Sequence, residues 1–417
     1  MMGENIVNLE QVPYLLASIA ASIALGLAFI QYLTVHPRRI GIFGAVCITL
    51  LLIVFLSIAY PSFSSRSFAW ASAASGALGF FVGYIIMTHR VLSTKDSREM
   101  PVFTREKGDP GKGHVAVIYF SHGEPADYSP IGWINQFREL DETGVRFVPW
   151  LARPFFLFML RRAYIRVGES HHRSEHIRTF SGLEKSFRDA GDMTTRFYLS
   201  FLDDEPRPEA AVISALNDGA SRIVLAEVFV TRSNHTKEGE DAVSRIGLSE
   251  FNTQLAFTEP LWNSKTLHKM FLDKTDRAAG DTDKKKVGIL LVGHGQPAEW
   301  DACFSTCTEQ EKLFMQSITS LLCANGYEKK NIGTAWMSFR EPKPKEKVEE
   351  IARNGVHEIL YFAATISADS LHSQYDIPHL VSEADIPGTI KLTNMGAWND
   401  HELVIAAIKE RIDGVLH

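Results

Sequence analysis

Two stretches of this chain end in the same chemistry. Val115-Ala-Val-Ile-Tyr-Phe-Ser-His-Gly-Glu-Pro-Ala-Asp127 and Val287-Gly-Ile-Leu-Leu-Val-Gly-His-Gly-Gln-Pro-Ala-Glu299 are apolar runs closed by His-Gly-x-Pro-Ala-acid, placing His122 and His294 at matched positions. A second likeness follows each. Ala220–Phe229 leads to His235 through Val230-Thr-Arg-Ser-Asn, and Gly355–Ala364 leads to His372 through Thr365-Ile-Ser-Ala-Asp-Ser-Leu. Neutral imidazole is a base active near neutral pH and a ligand for first-row divalent metals. Two such rings could hold a metal with positions left open, or shuttle protons. Glu124, Asp127, Glu299, Asp301, Asp369 and Asp376 lie close in sequence and could orient an imidazole or carry protons away.

The elements that must position these side chains follow from the pattern. An apolar run of this length, closed by Gly and Pro, reads as a buried strand entering a loop. A histidine there sits beyond the carboxyl edge of a sheet, where open α/β sheets bind ligands. Strands are expected at Val115–Phe120, Arg146–Val148, Thr195–Leu199, Arg222–Val230, Lys286–Val292, Gly333–Met337 and Glu358–Ala363. Helices are expected at Pro208–Gly219, Thr308–Asn325, Lys345–Asn354 and Asp400–Val415. This alternation predicts an α/β fold of two similar Rossmann-like halves with parallel sheets. The expected division is a membrane anchor over residues 1–93, a polar linker over 94–114, a first α/β domain over 115–275 and a second over 286–417, with polar Asp273–Lys286 as the boundary.

Composition narrows the function classes. The 417 residues are 45% hydrophobic with a net charge of -6, enough for two cores and without the basic excess of a nucleic-acid surface. The four cysteines form no Cys-x-x-Cys pair, which argues against a disulfide framework. Gln11–Pro37, Ile40–Ser65 and Ser67–Thr88 are largely apolar and carry no acidic or basic side chain beyond a terminal histidine, so three transmembrane helices are expected. A cleaved signal peptide fits poorly, because the head is acidic and three spans follow one another. Arg38 and Arg39 follow the first span, Arg66 the second, and His89, Arg90, Lys95 and Arg98 the third. The positive-inside rule then puts the amino terminus outside and the large domain in the cytoplasm. No acid or base lies within the spans, so an anchor is expected rather than a transporter.

Other chemistries are poorly represented. Gly-x-Ser-x-Gly, Gly-x-Gly-x-x-Gly and the phosphate-binding Gly-x-x-x-x-Gly-Lys-Ser/Thr loop are absent. His171, His172 and His176 have metal-like spacing, but Arg173, Glu175 and Arg178 among them point to a solvated helical face. Cys303, Cys307 and Cys323 lack a fourth cysteine nearby, and an iron–sulfur cluster is not expected. Phe147–Tyr164 is the most apolar soluble stretch, a core helix or an apolar lip toward a membrane or a planar ligand.

From about Val115 to the carboxyl end the sequence resembles the ferrochelatases, enzymes that insert divalent metals into tetrapyrroles. The resemblance runs through Val115–Pro130, Phe147-Val-Pro-Trp, Ser174-Glu-His-Ile, Glu227–Thr236, Glu259-Pro-Leu-Trp, Gly293-His-Gly-Gln-Pro, Trp336-Met-Ser-Phe-Arg and Ser367–Asp376, in that order. It implies a chelatase fold, catalysis by His294 with His372, and metal contacts from His294, His372 and His122. It also implies substrate contacts at Tyr119, Ser233, His235, Arg340, Asp369 and Tyr375. His372 stands where the family carries a catalytic glutamate, and His-x-x-x-Asp-Ile-Pro is closer to the small cobalt and sirohydrochlorin chelatases of the superfamily. The implied function is insertion of Fe²⁺ into a porphyrin at the membrane, in haem biosynthesis. The alternatives are a sirohydrochlorin or cobalt chelatase and a non-catalytic haem- or metal-binding protein. The metal (Fe²⁺ or Co²⁺) is a substrate, and no tightly bound cofactor is implied. The expected partners are the tetrapyrrole, membrane lipid and neighbouring pathway enzymes, without nucleic acid.

Overall fold

Uncharged apolar runs of more than twenty residues fold as the helices α1 (Val12–Thr34), α2 (Ile40–Ser62) and α3 (Arg66–Leu92). The structure is a computed structural model and describes residues 9–62, 66–96, 100–142, 144–145 and 148–416. All three helices are long and apolar enough to cross a membrane. Helices α1 and α3 pack tightly where Gly26 and Gly83 leave no room for a side chain: added Cβ atoms would lie 2.2 and 2.1 Å from backbone oxygens of the facing helix.

Two further helices belong to this first unit, α4 (Pro130–Glu142) and α5 (Arg153–Val167). Leu92, Ile134, Phe137 and Leu157 form one core, and Phe158 packs against Ile30, Leu33 and Tyr84. The buried Arg161 guanidinium donates to the carbonyls of Tyr32 at 2.5 Å and Val35 at 3.0 Å, closing the carboxyl end of α1. Residues 128–166 therefore group with the apolar helices, whereas the sequence placed them inside a first α/β domain. The strand expected at Arg146–Val148 falls largely outside the described residues.

The second unit comprises residues 98–127 and 167–417. Its first half runs β1 (His114–Ser121), α6 (His172–Asp189), β2 (Arg196–Phe201), α7 (Pro208–Asn217), β3 (Ala220–Glu227), α8 (Asn234–Ser244), β4 (Gln254–Phe257) and α9 (Lys265–Ala279). The second half repeats the scheme: β5 (Val287–Gly293), α10 (Ser305–Ala324), β6 (Ile332–Trp336), α11 (Pro344–Ala352), β7 (Glu358–Ala363), α12 (Ile377–Ser382), β8 (Lys391–Asn394) and α13 (Glu402–Leu416). The sheets have orders β2-β1-β3-β4 and β6-β5-β7-β8, parallel at every described pairing. One core joins them: Val117, Tyr119 and Val224 share it with Ile289, Leu360 and Phe362, and Phe271, Phe314 and Trp398 fill the space between.

The passage from the first half to the second falls within Asp273–Lys286, whose first part continues α9, with Lys274 donating to the carbonyls of Met395 and Ala397. One expectation is corrected in this unit: the stretch before β1 is not a free linker throughout. Arg105 is buried and donates to the carbonyls of Ala220, Asp109 and Phe251 at 2.6, 2.7 and 2.8 Å.

Candidate functional site

In each sheet the chain leaves the first strand to one side and returns on the other. The gaps between β1 and β3 and between β5 and β7 are therefore topological switch points, where loops part and leave room for a ligand. His122 follows β1, His235 opens α8 after β3, His294 follows β5, and His372 begins a π-helical turn after β7. The repeat seen in the sequence thus puts one imidazole on each flank of each switch point.

Glycine fixes the two strand-end turns. Gly123 and Gly295 have φ of 86° and 78°, and an added Cβ would lie 2.7 Å from Phe201 Cβ and 2.4 Å from Ser338 O. The turn brings each glycine carbonyl back to the preceding ring: Nδ1 to carbonyl is 2.9 Å at His122 and 2.7 Å at His294. A carbonyl only accepts, so Nδ1 is the donor at both rings.

The rings pair within each half. His294 and His372 meet edge to face with centroids 5.1 Å apart, and His122 and His235 do so at 4.5 Å. Burial, then the neighbouring His372, pushes His294 down to about 4, so it is neutral at physiological pH. For His372 burial acts downward, but hydrogen bonding and charge from Asp376 prevail and raise it. Its Nδ1 lies 2.7 Å from Asp376 Oδ2, again leaving Nε2 as the open nitrogen. Burial, then His122 and His294, holds His235 well below its ordinary value.

The two halves interlock at this end. Glu124, from the turn after His122, accepts from Leu371 N–H at 2.9 Å and from the Ser170 hydroxyl, anchoring the residue before His372. Burial raises the Glu124 carboxyl, with His372 opposing. Trp300 of the second half meets His235 of the first, centroids 6.2 Å apart. Glu311 on α10 is buried, and burial pushes its carboxyl up to about 7, with Thr365 and Gly295 opposing. Thr365 Oγ1 in turn accepts from His294 N–H at 2.8 Å. Sequence spacing had not singled out Glu311 or Thr365, because the loop they brace is distant in the chain.

The remaining expected contacts fare unevenly. Tyr119 is fully buried with its hydroxyl 2.7 Å from His176 Nδ1, so it supports α6 and offers no substrate contact. Asp369 accepts from Ser373 Oγ, Ala397 N and Asn399 Nδ2, each at 2.8 Å, and is a loop fastener. Arg340 pairs with Asp301 and donates to Gln296 O at 3.1 Å. Ser233 caps α8, and Tyr375 stacks on His379. The solvated face expected at His172 and His176 is wrong: both are buried, ring centroids 4.5 Å apart, and burial takes His176 down to about 3. Only His171 of that trio is exposed. Cys307 is buried on α10 and Cys303 is exposed before it.

A family model described as ferrochelatase matches residues 157–415. No curated protein sequence matches significantly. Among solved structures, SirB from Bacillus subtilis with Fe³⁺ is similar at 13% identity, over 72% of this chain and 94% of that one, with a TM-score of 0.46. The sirohydrochlorin chelatase SirB from Bacillus subtilis subspecies spizizenii, in complex with cobalt, matches at 14% identity over 72% and 94%, TM-score 0.43. DR2241 from Deinococcus radiodurans, a multi-domain protein with structural similarity to chelatases, matches at 11% identity over 72% of this chain and 55% of its own, TM-score 0.46.

Proposed function

The chain belongs to the ferrochelatase family and is a tetrapyrrole metal chelatase; on that premise we propose that it inserts Fe²⁺ into a porphyrin at a membrane surface, using His294 and His372. The observation that carries the reading is this pair of rings at a switch point, each with Nδ1 engaged and Nε2 open. Insertion exchanges a divalent cation for two pyrrole protons, so the site must accept protons beside the metal's path. His294 is neutral at physiological pH and takes the two pyrrole protons in turn at Nε2, releasing each to solvent before the next. His372 presents Nε2 to the metal, its orientation set by Asp376. Proton transfer of this kind contributes about 10²–10⁴-fold. Placing and bending the macrocycle supplies the rest. Tyr375 is the side chain expected to touch the macrocycle. The metal enters as substrate, and no resident cofactor has a part in this scheme.

Three long apolar helices are consistent with membrane anchoring, which suits an apolar substrate and a membrane-associated product. The arginine pair after the first span supports a cytoplasmic chelatase domain with the amino terminus outside.

A second reading, cobalt or iron insertion into sirohydrochlorin, is favoured by the imidazole at position 372 where a porphyrin-type site resembling this one has a carboxylate. One experiment separates them. The full chain in detergent would be incubated anaerobically with Fe²⁺, Co²⁺ or Zn²⁺ and protoporphyrin, coproporphyrin or sirohydrochlorin, following absorbance. Porphyrin metallation with Fe²⁺, lost in His294→Ala, is the expected result. Turnover of sirohydrochlorin alone would replace the porphyrin reading, and no metallation with any pair would overturn both. Protease cleavage of the large domain from the outer face of intact vesicles would reverse the orientation.

A further inference from the structure

We propose that Gln374 is a positioning residue for His372: its side-chain amide clasps the second half to the first and holds the turn that carries the imidazole. The inference rests on the insertion reading, which makes His372 a metal ligand, and adds a residue that the reading does not use.

His372 stands on an irregular support. His372–Asp376 is a single π-helical turn ahead of α12. Such turns are rare and recur at functional sites. Bonds within the second half fix Ser373, whose hydroxyl donates to Asp369 Oδ1 at 2.8 Å and whose carbonyl accepts from Asn394 Nδ2 at 2.9 Å. The residues on either side of His372 and Ser373 are tied to the first half instead. Leu371 N–H donates to Glu124, and Gln374 reaches the backbone of Glu169 and His171, just ahead of α6.

The Gln374 contact engages two backbone groups at once. Its Oε1 accepts from His171 N–H at 3.0 Å, and its Nε2 donates to Glu169 O at 3.2 Å. Only one orientation of the amide makes both bonds, because an N–H cannot accept and a carbonyl cannot donate. His171 is the N-cap residue of α6, so its N–H is one of the donors a helix start leaves without an intrahelical partner. Gln374 and Asp376 therefore do different work. The carboxylate holds the His372 ring at Nδ1, and the amide holds the backbone from which that ring extends. Ligand geometry must be kept to within about 0.5 Å, so a loosened turn weakens metal binding without unfolding the protein.

The test is a double-mutant cycle. Gln374→Met keeps the length of the side chain and removes both bonds. Wild type, Gln374→Met, His372→Gln and the double variant, as full chains in detergent, would be titrated with Co²⁺ without tetrapyrrole, following the visible ligand-field bands. The same four proteins would be assayed for metallation. Gln374→Met should weaken Co²⁺ binding and lower kcat/KM about five- to tenfold, the value of two neutral hydrogen bonds. KM for the tetrapyrrole and the melting temperature should stay close to wild type. In the His372→Gln background the same substitution should change Co²⁺ affinity by less than about twofold, since nothing remains to be positioned. Where Co²⁺ binding in that background is too weak to read, residual kcat/KM carries the cycle. An equal loss in both backgrounds would overturn the proposal by marking a general structural role, and so would no loss in either. If His372→Gln weakens Co²⁺ binding and Gln374→Met does not, this inference alone falls. If the wild type metallates no tetrapyrrole, the insertion reading fails, and the Co²⁺ cycle still decides whether Gln374 positions His372.

Discussion

Asp376→Asn isolates one term of the proposed insertion site. The substitution preserves the side-chain shape, and the amide oxygen can still accept from His372 Nδ1, now 2.7 Å from Asp376 Oδ2, so the tautomer is kept and the charge is lost. Hydrogen bonds to charged groups contribute about 1.5–3 kcal/mol against about 0.5–1.5 for neutral ones, so the difference is about 1–1.5 kcal/mol. The Asp376 side chain is 40% exposed, and solvent screening pulls the value to the lower end, about 1 kcal/mol. At about 1.4 kcal/mol per tenfold this is about fivefold weaker metal binding. Outer-shell carboxylates behind metal-ligating histidines typically account for about 10–100-fold, so roughly five- to tenfold is the expected window. The assay is Co²⁺ affinity from the ligand-field bands, in parallel with kcat/KM for metallation. Both should fall together. A change below about twofold in both would refute the assignment of His372 as a carboxylate-backed ligand. So would an Asp376→Ala variant that performs as well as Asp376→Asn, because Ala removes the acceptor altogether.

Further predictions concern the supporting structure. Glu227 has both carboxylate oxygens buried without a partner, and burial with the adjacent Glu240 pushes it up to about 9. The folded state therefore binds this proton more tightly than the unfolded chain. Its contribution is fully present below the ordinary glutamate range and is lost as pH rises toward 9. Glu227→Gln should melt at a higher temperature than wild type at pH 8 and at the same temperature near pH 4; equal melting at both would refute the buried-carboxyl account. Arg161→Ala leaves the carbonyls of Tyr32 and Val35 without their donor, at about 1–3 kcal/mol. Limited proteolysis should then cut residues 128–166 faster than in wild type, and unchanged cleavage would argue against the arginine as a fastener.

Much of this was legible in the sequence because one signal was duplicated. Apolar runs ending in His-Gly marked β1 and β5, and the similar runs before His235 and His372 marked β3 and β7; Glu358–Ala363 matches its strand at both ends. The edge strands β4 and β8 were not legible, being four residues long, paired on one side only and without a fully buried residue. On α6 the charged neighbours misled. His172, His176, Thr179, Leu183 and Phe187 recur at helical spacing and are all buried, so the apolar end of the series located the inward face better than the charges did. Glu124 shows where sequence reading stops. It accepts from Leu371 N–H, which a distant loop supplies, and spacing along the chain does not encode that.

The duplicated halves differ in what stands behind their second histidine, and packing explains why. His372 has Asp376 four residues on, in the same turn of helix. Four residues after His235 is Gly239, on α8. A Cβ there would lie 2.2 Å from Cζ of Phe120, a ring buried in β1, so the first half has no room for any side chain at the position of the backing carboxylate. His235 Nδ1 accordingly has no hydrogen-bond partner, where His372 Nδ1 is bonded to a charged group. A carboxylate-backed imidazole is the more basic ligand and the better place for chemistry that must take up protons. This asymmetry supports the proposal that His294 and His372 carry out insertion, and it rests on the tightness of one contact, which can be measured. On propensity alone Gly239→Ala should stabilise a helix interior by about 1 kcal/mol. If the Phe120 ring fills the space, overpacking at about 1–3 kcal/mol reverses the sign. A thermal melt of Gly239→Ala below that of wild type is expected, and a melt above it would show that the position is open and that packing is not what keeps a carboxylate away from His235.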